Sequence, residues 1–248
     1  MSSNAHPEQL VLPWTARAVP AFLRADARTV CDWILHRQTG MVWFCLCSIV
    51  IGAGCYGAVM GSWRDLLQAL YTGVKLPLVI LLTTLGNGLL NGMLAPLLGL
   101  NISFRQSFLL VLISFAITAL IIGSLSPVAF FLVWNTPPLN SHTDLSSLEY
   151  GFLQLMLATF IAFAGLTGNV RLLPLLRQFT KNFRAARNVL LAWLAMNLFL
   201  GSQIAWVLRP FIWDPAGPSQ FMGRQYLKGS FFETVFNAAW RLIESLLH

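Results

Sequence analysis

Five apolar runs, each of about 20 residues or more, constrain this chain more than any other feature. They are MVWFCLCSIVIGAGCYGAVMG at 41–61, LPLVILLTTLGNGLLNGMLAPLLGL at 76–100, SFLLVLISFAITALIIGSLS at 107–126, YGFLQLMLATFIAFAGLTGNV at 150–170 and NVLLAWLAMNLFLGSQIAWVL at 188–208. At ~1.5 Å per residue each helix spans the ~30 Å of a bilayer's hydrocarbon. Only 10% of the residues are charged, against roughly 25% in a soluble domain. So few charges cannot cover a water-exposed surface, and the mean hydropathy of +0.67 agrees. The expected fold is all-α, a polytopic bundle of about five transmembrane helices with the lipid bilayer as its solvent.

The third run needs a decision. Read on to Trp134 it has 28 residues, or about 42 Å of helix. Pro127 supplies a break, so 127–134 is expected to be a kinked continuation or an interfacial turn. Two amphipathic pieces flank the spans. Near residues 26–41, Val30, Trp33, Ile34 and Met41 share a face, which predicts a helix lying on the inner membrane surface. Over 230–247, Phe232, Val235, Phe236, Ala239, Trp240, Ile243 and Leu247 form a stripe, with Ser230 and Glu233 as a capping box. That helix is expected to lie on the outer face or to dock back on the bundle. Three regions follow: an arm and interfacial helix over 1–40, the bundle over 41–211, and a turn plus amphipathic helix over 212–248.

Net charge is +7, but the basic residues sit between apolar runs with no nucleic-acid motif beside them, so no nucleic-acid partner is expected. Their distribution sets orientation instead. The connection 171–187 holds Arg171, Arg177, Lys181, Arg184 and Arg187, whereas 135–149 holds no Lys or Arg. This predicts a cytoplasmic N-terminus and, with five spans, an outside C-terminus. The first 40 residues are too long and too acidic for a signal peptide's basic leader, so the first span is expected to direct insertion. Cys31, Cys45, Cys47 and Cys55 crowd into the first quarter without distant partners, and no disulfide framework, metal or cofactor is expected.

Polar groups inside the spans carry the functional signal. Thr84, Asn87, Gly88, Asn91 and Ala95 share one face of the second span, and Gly88 and Gly92 form a G-x-x-x-G. In the first span Gly54, Gly57, Ala58 and Gly61 share a face. Small residues admit close backbone approach and amides bond across it, so the stripes read as glue between two antiparallel helices. The sharper reading is that Thr84, Asn87 and Asn91 line a polar path with Asn197 and Gln203 of the fifth span. No Asp, Glu, Lys, Arg or His falls near the centre of any run, which argues against a proton-coupled pump but leaves a passive pore open.

The fifth run ends in GSQIAWVLRPFIWDPAGP, where Arg209 and Pro210 close the span. Trp206 and Trp213 bracket headgroup depth, and Asp214 is a plausible partner for Arg209. Chemistry motifs are sparse. There is no H-E-x-x-H, P-loop or G-x-S-x-G. His142 and Asp144 with Ser141 form no oriented triad, and NIS at 101–103 falls in a loop expected to be cytoplasmic. No enzyme is expected.

At GVKLPLVILLTTL (73–85) and GSQIAWVLRPF (201–211) the chain resembles a group of uncharacterised bacterial integral membrane proteins. The matching residues are Lys75, Leu76, Pro77, Leu78, Gln203, Trp206, Leu208, Arg209, Pro210 and Phe211. The five-span plan is also similar, more distantly, to Yip1-type membrane proteins. The resemblance implies the topology and a bacterial inner membrane, with no activity or catalytic residues. Its members carry fewer amides in the second span, so a role for Asn87 and Asn91 belongs to this sequence. The leading expectation is a non-enzymatic scaffold or adaptor assembling with another membrane or membrane-associated protein, or as a homo-oligomer. The alternative is a passive channel or transporter for a small solute along the amide stripe.

Overall fold

The computed structural model describes residues 20, 23–24, 27–36, 38–97, 103–137, 144–179, 183–210, 220–222, 229–230 and 232–233. Inside hydrocarbon the backbone has no water to bond, so each span must satisfy its own N–H and C=O groups as helix. Among the described residues these helices follow in order: α1 Ala27–His36, α2 Gln38–Ser62, α3 Leu66–Leu97, α4 Phe104–Asn135, α5 Asp144–Val170, α6 Leu173–Gln178 and α7 Phe183–Leu208. No strand occurs among the described residues. Five of the helices, α2 to α5 and α7, are long and apolar enough to cross a bilayer, so the protein is a multi-pass membrane protein.

Helices α2, α3 and α4 pack on one another as the centre of the bundle. α5 lies on α4, α7 lies on α3, and α5 and α7 meet only sparingly. Burial follows the same order. Inside the protein lie 61% of the apolar window of α4 but 22% of those of α5 and α7. Alternate helices run in opposite directions. One end of the bundle therefore holds the starts of α2, α4 and α7, and the other holds the start of α3 and the ends of α4 and α7. We call the first the basic end, since Arg105, Arg171 and Arg177 are exposed there.

α4 starts at a full capping box. Ser103 Oγ accepts from the Gln106 backbone N–H at 3.3 Å, and Gln106 Oε1 accepts from the Ser103 N–H at 2.9 Å. The helix then runs through Pro127 without stopping, so 127–134 is a helical continuation. At the far end the Trp63 indole donates to the Thr136 carbonyl at 3.2 Å and stacks on Tyr150, tying the α2–α3 turn to α4 and α5. Deeper in, the Tyr56 hydroxyl of α2 donates to the Leu157 carbonyl of α5 at 2.8 Å. Tyr56→Phe removes that bond and leaves the shape, so thermal unfolding in detergent should show a loss of about 1 kcal/mol.

The structure departs from the sequence expectation in two places. α1 does not spend its apolar stripe on lipid. Val30, Trp33, Ile34 and Met41 are buried in the main core together with Leu175 and Leu176 of α6. An amphipathic stripe demands apolar cover without specifying its source, and α6 supplies it. The second span begins at Leu66 rather than Leu76. Lys75 is thus the tenth residue of α3, with 1% of its surface exposed, instead of belonging to a loop. The apolar run opens at Leu76, but membrane helices tolerate an interior proline, and the helix continues back through Pro77. The Gly73 carbonyl, four residues before Pro77, cannot receive its helical bond and lies against Gly54 of α2.

Candidate functional site

The small-residue stripes pack on different partners. A Cβ on Gly57 would strike the Thr72 carbonyl, and one on Gly61 would strike the Thr72 hydroxyl and the Gln68 carbonyl. Gly54 touches Gly73. This face of α2 therefore lies on the first half of α3. Gly88 and Gly92 instead receive the rings of Phe108 and Phe104 from α4. The two glycine stripes do not meet each other.

The α3/α4 register is fixed by those rings, Phe108 against Gly88 and Phe104 against Gly92. The α3/α7 register is fixed by Gly201 beside Thr83 and Leu200 beside Gly86. On the α4/α5 side, Gly168 lies against Ser114 and Thr118. Four helices thereby converge in the half of the bundle nearer the basic end. Between them Asn87 of α3 donates through Nδ2 to Asn197 Oδ1 of α7. Asn197 Nδ2 donates to Asn169 Oδ1 of α5 at 2.8 Å, and Asn169 Nδ2 donates to the Gly165 carbonyl at 2.8 Å. The chain of amides has a direction. A backbone carbonyl can only accept, so Asn169 must turn its NH2 to Gly165, and each amide upstream is oriented in turn. The head of the chain, Asn87, is left displaying its carbonyl oxygen.

That oxygen has no hydrogen-bond partner among the described residues. One turn further on, Asn91 is fully buried and neither its oxygen nor its NH2 is bonded among the described residues. The Ser107 hydroxyl of α4 and the Trp193 indole N–H of α7 are in the same condition. Register places these groups at one level of the bundle. Asn91 precedes Gly92, which faces Phe104, so Ser107 falls in the adjacent turn of α4. Antiparallel pairing of Asn87 with Asn197 brings Trp193, four residues earlier, to the level of Asn91. Each buried unbonded polar group costs about 1–3 kcal/mol, and lipid offers no water in exchange.

The sequence named Thr84, Asn87, Asn91, Asn197 and Gln203 as one path. Asn87 and Asn197 are joined directly. Thr84 is buried and donates to its own helix at Ile80 O, 2.7 Å. Gln203 is half-buried further along α7. Asn169, Ser107 and Trp193 escaped the sequence reading. Asn169 had a visible signal, an amide inside an apolar run close behind Gly165 and Gly168, whereas an unbonded indole N–H has none.

A second polar group lies at the opposite end. α7 stops because Pro210 disfavours the right-handed helical region for the residue before it. Arg209 takes φ +44°, the left-handed turn usual after a helix C-terminus, where glycine is the common choice. Its guanidinium does not extend outward. Arg209 is 9% exposed, its Nε donates to the Trp206 carbonyl at 3.3 Å, and it lies 4.9 Å over the Trp206 ring. Lys75 reaches toward the same place, 5.3 Å over the Phe221 ring and 3.5 Å from the Gln220 carbonyl. Pro210 is buried beside them. Trp213, Asp214 and His142 lie outside the described residues, as does the stripe beyond Glu233. The Glu233 N–H donates to the Ser230 hydroxyl, which caps it, at 3.1 Å, and Phe232 stacks on Phe199 of α7. Cys45 is buried while Cys47 and Cys55 face outward, and no three metal-ligating side chains gather among the described residues.

Comparison of the chain with protein-family models, with curated proteins and with solved structures finds no match in any of the three.

Proposed function

We propose that this membrane protein passes a small polar solute across the bilayer, with the amide cluster between α3, α4, α5 and α7 as its selective site. One observation carries the reading: among the described residues, Asn91 is wholly buried with donor and acceptor both unused. If the stripe were only glue, its amides would be spent on each other, as Asn197 and Asn169 are. A polar solute bonds what the protein leaves unbonded. The sparse contact of α5 with α7 supplies a seam that can part without breaking the α2–α3–α4 centre. The test is solute flux into proteoliposomes with wild type and with Asn87→Leu/Asn91→Leu. Flux is expected to fall at least tenfold in the double variant. Equal flux in both proteins would rule the reading out.

A second reading is supported by a different observation. The outward faces of α5 and α7 are apolar and little buried, with Phe152, Leu155, Phe163, Leu198 and Phe199 exposed. They suit assembly with a second copy or another membrane protein, the scaffold role. Co-purification from the same double variant separates the two. A scaffold keeps its partner when the amides are gone, and its loss of flux is nil.

We place the protein in a bacterial inner membrane with the basic end cytoplasmic, because Lys and Arg gather on the side that is not translocated. A periplasm-active reporter fused after His248 should then be active, and the same reporter fused ahead of Met1 inactive.

A further inference from the structure

We infer that the cluster formed by Asn87, Asn91, Ser107 and Trp193 binds an uncharged, carboxamide- or urea-like edge. This deepens the solute-passage reading and rests on it for the route by which the solute arrives.

The ligand is defined by the donors and acceptors left open in the protein. Asn91 offers a planar NH2 and carbonyl side by side, both unbonded and fully buried. A planar amide is matched best by another planar group that presents one acceptor beside one donor, as when asparagine reads adenine with two parallel bonds. The ligand carbonyl then accepts from Asn91 Nδ2, and the ligand NH2 donates to Asn91 Oδ1. The remaining groups extend the match on both sides. The Asn87 oxygen, whose direction is set by the chain ending at Gly165, can only accept. The Trp193 indole can only donate. Ser107 can do either. A ligand with a second N–H bonds Asn87, and its carbonyl has a second lone pair for Trp193. Urea and primary amides meet all these conditions, whereas an alcohol offers no planar donor–acceptor pair.

Charge is excluded by what surrounds the cluster. Among the described residues the buried charged side chains are Lys75 and Arg209, and both belong to the opposite end. Lys75 lies about 24 Å along α3 from Asn91. Arg105, Arg171, Arg184 and Arg187, nearer in sequence, are exposed. A carboxylate or guanidinium ligand would surrender its hydration to neutral amides alone, and an uncompensated buried charge is far more costly than a neutral polar group.

Equilibrium binding to the purified full chain in nanodiscs tests this without requiring passage. Labelled acetamide and urea are the probes, and acetate and guanidinium are the charged competitors of the same shape. Wild type should retain both probes, and neither ion should displace them. Asn91→Leu should lower retention at least tenfold, and Trp193→Phe, which keeps the ring but removes the donor, by about fivefold, the size of one hydrogen bond. A matched melting profile establishes that the variants are folded. Competition by acetate or guanidinium equal to that by acetamide overturns the inference. So does full retention in Asn91→Leu, or failure of wild type to retain either probe, which would leave the cluster to water alone. Binding without flux would remove the passage reading and keep this one. Flux of charged and neutral solutes alike would do the reverse.

Discussion

Gly52→Leu is expected to destabilise the bundle by about 3 kcal/mol or more, at the upper end of overpacking costs. A Cβ at Gly52 would collide with the carbonyl of Ala119, and one at Gly123 would come within 2.8 Å of the Gly52 Cα. Here α2 and α4 meet backbone to backbone. A side chain that strikes another side chain can be relieved by a rotamer change, but a backbone carbonyl inside a helix moves only with its helix. The whole α2/α4 contact in the centre of the protein has to open by the thickness of a leucine. Gly151→Leu is the control, since nothing lies within 4 Å of a Cβ there. It should melt within about 0.5 kcal/mol of wild type, as surface substitutions do. Thermal or denaturant unfolding in mixed micelles reads both. Equal melting of wild type and Gly52→Leu would mean that the two backbones are not in contact at this point.

Gly52 also shows what the sequence concealed. The stripe Gly54, Gly57 and Gly61 is legible because its members share a face, and it does pack closely, on α3. Gly52 lies off that face and has no periodic companion in its own helix. Its companion is Gly123, 71 residues away, and nothing local links the two. The five spans were legible for the opposite reason, since length and hydropathy are properties of one segment. The second span is expected to open at Leu76 because the apolar run opens there, whereas the helix reaches back through Pro77 to Leu66, which lipid permits. α1 was expected on the membrane surface because periodicity identifies an apolar face but not what covers it. The amide pair Asn87 and Asn197 could be guessed, since few other groups in those spans can bond across a helix interface. That Asn91 stays unbonded while Asn87 donates to Asn197 depends on how α3 is set against α7. No pattern in the chain encodes it.

The amide cluster yields a pair of opposite signs. Asn91→Leu replaces two unbonded polar groups by an apolar side chain of similar length, so it is expected to stabilise the protein by about 1–3 kcal/mol. Asn197→Leu removes two hydrogen bonds and strands Asn87 Nδ2 and Asn169 Oδ1 in the interior. At about 0.6 to 1.7 kcal/mol per interhelical bond in a membrane, it should cost about 1–3 kcal/mol. The variants change the same residue type to the same residue type, the fully buried Asn91 and the half-buried Asn197, yet their midpoints should fall on either side of wild type. A purely structural stripe predicts losses at both positions, because every amide in it would be a bond between helices. Loss of stability in Asn91→Leu equal to that in Asn197→Leu would therefore remove the case for a binding site. A gain, accompanied by loss of flux, would mean that the chain keeps Asn91 at the expense of its own stability, as proteins do where function requires a group that folding does not.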